Sequence, residues 1–457
     1  MKVCKFGGSS LANAEQIKKV CDIILSDPSR QVIVVSAPGK SKRSEMKVTD
    51  LLIALAGAKL NDFTGQHEMR MVLKRFKDIV TQLELPDRVY TSIESLIQDA
   101  AEQTHLPRDE YLDTVKSAGE RCSAKLLSAY LNKLEFDAVY VEPKEAGLYL
   151  TEEFGNADVL DESYQHLASL KNRPEIVVFP GFYGYTKGGK IVTFSRGGSD
   201  ITGAILANAI DAECYENWTD VDSVYSVNPE LVNDPHMIRE LSYREMRELA
   251  YSGAGVIHPE AMMPLLDKGI PIYILNTDNP DAAGTKIVRE RTNFDGVVTG
   301  IAGSKHFCSL NIGEYLMNRR VGIVADILKI LADENVSFEH MPSSIDSISV
   351  IMRDENFTPE VERRVISRIR GELDINDVEV YRGLALVMLV GEAMADTVGV
   401  TARAVTALSR ANVGLEMIIQ DHSEMSVIFI VDSKFCNYAI ETLYHEFFTR
   451  NFSPEIR

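Results

Sequence analysis

Cysteine is scarce in this chain, six among 457 residues, and tryptophan occurs once. Cys4, Cys21, Cys122, Cys214, Cys308 and Cys436 form no CxxC and no paired spacing, which excludes a disulfide framework and a zinc ribbon. Reduced, buried thiols are expected instead. No apolar run approaches the roughly 20 residues that span a bilayer, and the start MKVCKFGGSS lacks the apolar stretch of a signal peptide. A cytoplasmic protein without a membrane partner is therefore expected. Positive charge is also short: 48 Lys and Arg face 67 Asp and Glu, for a net charge of −19. That balance repels nucleic acid, so an anionic substrate must meet locally concentrated cations. The motifs GxGxxG after a strand, HExxH and GxSxG are missing as well.

What is present points to an α/β protein of two or three domains, since the length exceeds one ordinary core. Apolar, β-branched runs at residues 2–8, 31–39, 137–143, 175–185, 190–198, 213–221 and 270–276 read as strands. Between several of them lie stretches such as ANAEQIKKVCDIILS and AKLLSAYLNKL, with apolar residues three and four apart. Nearly continuous apolar strands alternating with helices predict a mainly parallel sheet covered on both faces. Ligands then sit beyond the carboxyl ends of the strands, where GGSS, SAPGK, GFYGY and RGGSD fall.

The last third has a different grammar. GIVADILKILADENVSFEHM from Gly322 repeats as GVTARAVTALSRANVGLEMI from Gly399, and Ser349-Val350-Ile351 repeats as Ser426-Val427-Ile428. Each copy reads as a helix, a turn at Asn, a strand, a loop and a second strand, so two small βα domains are expected. A plain duplicated oligomerisation module is the competing reading. The polar stretch 286–297 marks the boundary with the front part.

Several segments carry candidate chemistry. GYTKGGKI, 184–191, fits part of a P-loop, yet Ile191 replaces the magnesium-binding hydroxyl and a strand comes next, so it reads as a hairpin turn. FSRGGSDITGAI, 194–205, puts a cation and two glycines before a helix, whose bare N–H groups favour an anion. Ser199 or Asp200 acting only as an N-cap is the alternative. Lys5 stands beside Gly7, Gly8 and Ser9, where one ammonium and backbone N–H groups can approach phosphoryl oxygens. An exposed strand lysine is the plainer choice. Glu120, in SAGERCSAKLLSAYL, reads either as an anchor for a substrate ammonium or as a first-turn helix acid. Thr219, Asp220 and Tyr225 come after a strand and suit a ribose hydroxyl, a base edge and a base face, or only a capped turn.

Taken together, KFGGSS, VVSAPGK, GER, SRGGSD, WTDVDSVYSVNP and GVIHPEA resemble, in this order, the aspartate kinases, and the tandem repeats resemble their regulatory ACT domains. The resemblance covers essentially the whole chain. It implies a carbamate-kinase-like amino-acid-kinase domain over 1–293, an ACT domain over 315–382, and a second built from 297–313 plus 383–457, both ferredoxin-like. It further implies transfer of the γ-phosphoryl of ATP, with Mg2+ carried by the nucleotide, to the side chain of L-aspartate. That reaction opens the route to lysine, threonine and methionine.

Residue by residue, Lys5 resembles the lysine that stabilises the transferring phosphoryl, and Gly7, Gly8 and Ser9 its phosphate loop. Ser36, Thr49, Glu120, Arg196 and Ser199 are similar to the aspartate contacts: Glu120 for the ammonium, Arg196 for a carboxylate. Asp200 completes the catalytic set. Thr219, Asp220 and Tyr225 resemble the adenosine contacts. Two departures stand out. Many members carry an arginine and a lysine where this chain has Glu230 and Gly255, and Arg239 and Lys268 are the candidate replacements. An effector amino acid, lysine first and threonine second, is expected at Met317, Gly322, Ile323 and Val324, facing Ser337, Phe338, Glu339 and Asp346. Surface solubility is the alternative role for the two acids. The resemblance also implies a homodimer through the ACT domains, with a tetramer as the larger option. Acetylglutamate or glutamate kinase, or a silent amino-acid sensor, are the rival functions.

Overall fold

The computed structural model describes residues 1–42, 44–251, 253, 255–420, 422–423 and 425–449. The chain divides into two compact units. The first comprises Met1–Val224, Met237–Met246 and Val256–Thr292; the second holds Tyr225–His236, Arg247–Gly255 and the remainder from Asn293.

The first unit is built on an eight-stranded sheet. Across it run Glu240–Ser242, Thr285–Val288, Ile272–Asn276, Tyr215–Thr219, Lys2–Phe6, Arg30–Val35, Ile176–Pro180 and Ala138–Tyr140. Neighbours pair in parallel except Ile272–Asn276 with Thr285–Val288. The central strands are apolar because both faces are covered: Val3, Cys4, Phe6, Val32, Ile33, Val34 and Val35 are all buried. Ala14–Leu25 makes the first crossover, its N-terminus capped by Asn13, whose side chain accepts from the Gln16 N–H. A helical excursion comes after Arg30–Val35, comprising Val48–Leu60, Gln66–Gln82, Asp87–Ala101 and Arg108–Lys133. Val72, Phe76, Ile93, Ile97, Tyr111 and Leu127 from it join Phe6 and Trp218 in one core.

The run 175–185 is not one strand. It breaks after Pro180, and Tyr183–Tyr185 turns back against Ile191–Thr193 as an antiparallel hairpin. Thr186 N–H donates to Lys190 O across its tip, so 184–191 is the hairpin turn that its sequence suggests. Among the described residues no helix is long and apolar enough to cross a membrane.

The second unit carries a five-stranded antiparallel sheet. Its order is Ser347–Arg353, Gly300–Gly313, Asp377–Val390, Ser426–Asp432 and Met417–Gln420. The two long strands serve two cores. Cys308, Leu310 and Ile312 pack with Ile327, Leu331 and Ile369, whereas Ile301, Val387 and Leu389 pack with Ala404, Leu408 and Leu443. The internal repeat is visible in the backbone. Helices Ile323–Asp333 and Val400–Arg410 begin after Gly322 and Gly399 at φ 87° and 89°, and Asn335 and Asn412 both turn at φ 56°. One expected element differs. After Asn412 the strand Met417–Gln420 forms, but after Asn335 only the bridges His340↔Ile351 and Ser343↔Ile348 remain. Pro342 and the polar Ser343-Ser344 do not sustain a ladder there.

Candidate active site

The parallel strands of the first unit end on a common edge, and the site is assembled from the loops and helix starts beyond those ends. Gly7 N–H donates to Trp218 O at 3.0 Å, and Ser36 N–H to Phe6 O at 3.2 Å, so three adjacent strand ends are locked together. Lys5 projects from the middle one, only 8% exposed. Its Nζ lies 2.6 Å from Asp200 Oδ1 and 3.3 Å from Asn217 Oδ1. Asn217 Nδ2 in turn donates to the same Asp200 oxygen at 3.0 Å. A nearly buried ammonium is thus held by one carboxylate and one amide, which fixes its position. Lys5 is no exposed strand charge.

The helix Gly198–Ala209 aims its N-terminus at this group. Its cap is Gly197, in the left-handed region at φ 80°, with no side-chain cap bond. Ser199 and Asp200 therefore lie inside the first turn, and the reading of either as a mere N-cap is corrected. Side-chain capping is replaced by a backbone turn that only glycine adopts cheaply. A Cβ on Gly197 would also stand 2.5 Å from His258 Cβ.

Glu120 corrects a second expectation. Its helix begins at Arg108, directly after Pro107, so Asp109 and Glu110 are the first-turn acids and Glu120 sits mid-helix. It is 4% exposed; Oε1 accepts from Ala37 N–H at 3.0 Å, while Oε2 is buried without a partner. Burial pushes its carboxyl group up to about 8.

These groups line one cavity of about 540 Å³. Lys5, Gly7, Gly8 and Ser9 come from the first loop, Ser36 and Thr49 from the second, and Glu120 from its helix. Ser199, Asp200, Thr219 and Asp220 complete the set that the sequence proposed. Thr219 Oγ1 donates to Asp220 Oδ1 at 3.1 Å. Two candidates are not on the lining: Arg196, which is exposed, and Tyr225, on the short strand Val224–Tyr225. Lys268 does not reach the cavity either, being tied to Asn208 O and Asp211 at the far end of the helix Gly198–Ala209. Arg239, Glu230 and Gly255 are exposed and off the lining. Sequence reading puts SAPGK and GFYGY at the ligand end without singling out their Gly39, Lys40 and Phe182, which line the cavity; it misses Lys47 on the lining and Asn217 behind it. For Asn217 a signal existed, a polar residue inside the buried strand ENWTD.

In the second unit the effector candidates divide by burial. Met317 and Ile323 are buried, Val324 and Phe338 exposed. Asp346 Oδ1 accepts from Leu316 N–H at 2.7 Å and Asn318 N–H donates to Ile345 O at 3.1 Å, so segments 314–318 and 345–346 lie side by side. Glu339 is bound by Arg353 at 3.0 Å, and Ser337 by Asn356 at 3.3 Å; nothing in the sequence pattern singles out Arg353 or Asn356. Gly322 caps the helix Ile323–Asp333.

A lysine-and-glycine cleft at the strand ends of an α/β sheet, with an ACT-type repeat in a separate unit, defines a class that the comparisons also return. Residues 1–276 match the model of the amino acid kinase family and residues 387–447 that of an ACT domain, and the chain belongs to the amino acid kinase family. It is 48% identical over 448 residues to Aspartokinase 3 of Bacillus subtilis (strain 168), covering 98% of this chain and 99% of that one. The crystal structure of Clostridium acetobutylicum aspartate kinase superposes with a TM-score of 0.86 at 36% identity, over 98% of this chain and 100% of that one. Escherichia coli aspartokinase III, in complex with aspartate and ADP, gives 0.81 at 26% identity over 98% and 99%; its complex with lysine and aspartate gives 0.77 at the same identity and coverage. The activity within the family is thereby fixed: this is an aspartate kinase, a phosphotransferase. The rival readings as another amino-acid kinase or a silent sensor fall away.

Proposed function

We propose that the cleft moves the γ-phosphoryl of ATP, with Mg2+ entering on the nucleotide, to the side-chain carboxylate of L-aspartate, giving 4-phospho-L-aspartate. The observation that carries this reading is the buried Glu120 Oε2, unpartnered, in the same cavity as the Lys5–Asp200 pair. A buried carboxylate oxygen without a donor is costly unless a cation completes it, and the ammonium of aspartate supplies three donors. At the other end Lys5, with Gly7, Gly8 and Ser9, holds the transferring phosphoryl. Asp200 orients Lys5. Ser36, Thr49 and Ser199 position aspartate, and Arg196, exposed and off the lining but adjacent to the lining Gly197, turns in to take its carboxylate. Thr219 and Asp220 on the lining hold the nucleoside, with Tyr225, off the lining, as its further contact.

The reacting carboxylate is ionised near neutral pH, so no strong general base is required. Catalysis reduces to alignment and charge stabilisation around a loose phosphoryl group. In the second unit, lysine is the effector of choice at Met317, Gly322, Ile323, Val324, Ser337, Phe338, Glu339 and Asp346, with threonine the alternative. Lysine bound to the Escherichia coli relative supports that choice. The domains are 1–293, 315–382, and 297–313 plus 383–457. Two separate cores support two modules, but Cys308, Leu310 and Ile312 pack into the core of 315–382 while Val298 and Ile301 pack into the other, so the segment 297–313 is shared between the two. The working form is a cytoplasmic homodimer or tetramer.

An ATP-dependent hydroxamate assay across aspartate, glutamate and acetylglutamate tests the reaction. Product from aspartate alone is expected. Equal product from glutamate would overturn the proposed fit of the cleft to aspartate.

A further inference from the structure

One wall of the cavity begins in SAPGK and runs beyond it. It is formed by Gly39, Lys40 and Lys47, the two ends of the stretch 39–42 and 44–47, which lies so close to the first loop that Gly39 N–H donates to Gly8 O at 2.7 Å. A Cβ on Gly39 would stand 2.6 Å from Gly8 C, so the two glycine backbones touch with no room for a side chain. The fold of this segment is set from outside it. Arg75, in the helix Gln66–Gln82, donates through Nη2 to Gly39 O at 3.0 Å and to Met46 O at 3.4 Å. Its Nη1 reaches Ser41 Oγ at 3.1 Å and Glu45 Oε2 at 2.5 Å. Ser41 closes the ring, its N–H and hydroxyl both donating to Glu45 Oε2. One guanidinium thus ties both ends of the segment together, a task for which a planar fork of five donors suits and a lysine does not.

That segment carries Lys40 and Lys47 onto the cavity lining. The charges there decide what they face. The lining cations are Lys5, Lys40 and Lys47, and the lining acids Glu120, Asp200 and Asp220. Lys5 is already matched by Asp200 at 2.6 Å. Lys40 and Lys47 are exposed, and neither has an ion-pair partner among the described residues. A polyanionic phosphate chain entering a protein of net charge −19 needs such uncommitted cations.

We propose that Arg75 is a positioning residue that folds this segment into a cationic wall beside the first loop, and that Lys40 and Lys47 on that wall bind the phosphate chain of the nucleotide. The proposal rests on the reading of the cleft as an ATP site. Neither lysine is assigned to aspartate in this proposal.

Steady-state kinetics on the full chain test it, with Lys40→Ala, Lys47→Ala, the double variant, Arg75→Ala and Arg75→Lys, alongside ADP binding by calorimetry. Loss of one charge-assisted contact is expected to raise KM for ATP and Kd for ADP about tenfold. The double variant should lose more, while KM for aspartate stays within about twofold. Arg75→Ala should resemble the double variant, Arg75→Lys should recover little, and adding Lys47→Ala to Arg75→Ala should cost far less than it does alone. A purely structural arginine would lower kcat through lost active protein and leave both KM values unmoved, and that result overturns the positioning role. If Arg75→Ala does not fold, the exposed lysine variants and Arg75→Lys still decide. Unchanged KM for ATP and Kd for ADP in the double lysine variant sink the proposal while an active wild type leaves the kinase reading intact. A wild type that makes no aspartyl hydroxamate with ATP sinks both.

Discussion

At the scale of the residue, Glu120 stores a titration that aspartate must reverse. Burial and an unpartnered Oε2 push its carboxyl group up to about 8, so the empty cleft holds it protonated at neutral pH. Pairing with a substrate ammonium requires the charged form, and binding below pH 8 therefore releases a proton. Aspartate affinity is expected to rise with pH by up to about tenfold per unit and to level off above about 8. Measured at saturating ATP, KM for aspartate in wild type should fall from pH 6 to 8, while Glu120→Gln gives a high and flat KM. A flat wild-type profile would remove Glu120 from the ammonium site. The sign for stability runs the other way. An acid whose folded pKa is raised loses stability as pH climbs from the ordinary carboxylate value to the raised one. The unliganded Glu120→Gln protein should therefore gain Tm over wild type most clearly at and above pH 8.

At the scale of the element, the helix Gly198–Ala209 depends on its left-handed first step. Gly197→Ala is expected to cost about 1 kcal/mol in backbone strain alone, and more from a Cβ 2.5 Å from His258 Cβ. Because Ser199 and Asp200 come two and three residues later, the shifted helix start should lower kcat/KM at least about tenfold, with Tm reduced by a few degrees. Unchanged kinetics would mean that the turn is incidental to the site. The same elements show what can be read from a chain. Apolar β-branched runs give away the buried parallel strands, because nothing but burial on two faces explains VIVV or IVVF. RGGSD announces a helix start, yet its polar residues point to a cap two or three positions late, because a glycine cap leaves no side-chain signature. Glu120 looks like a first-turn acid although its helix begins after Pro107, since SAGERCSAKLL resembles a beginning when the polar turns before it are discounted. SAPGK marks where the wall that carries Lys40 and Lys47 begins, but its further course leaves no local trace, for its shape is imposed by Arg75, 36 positions beyond Gly39.

At the scale of the whole molecule, the repeat is the feature that sequence exposes best. A helix cap at Gly322 and Gly399 and a left-handed turn at Asn335 and Asn412 are backbone requirements, which both copies retain while side chains drift. Departures between the copies are correspondingly informative. The first copy lacks the strand that the second forms at Met417–Gln420, and that stretch, 337–346, is where half of the effector candidates fall. Held to Ser347–Arg353 by a few backbone bonds, such as Glu339 N–H to Ile351 O and Ser349 N–H to Pro342 O, that stretch has less ladder to lose than a full strand if a ligand rearranges it. If lysine binds there and favours a less active state, coupling of about 1 to 3 kcal/mol would raise KM for aspartate several-fold to about a hundredfold. Linkage makes the test strict. Saturating aspartate must weaken lysine binding, measured by calorimetry, by the same factor by which lysine weakens aspartate binding. Glu339→Gln, which removes a charge that Arg353 holds at 3.0 Å, should lower lysine affinity and shrink both factors together. A response to threonine in place of lysine would reassign the effector. Absence of any response to lysine, threonine or their mixture would leave the repeats without a regulatory role, as a duplicated module for oligomerisation.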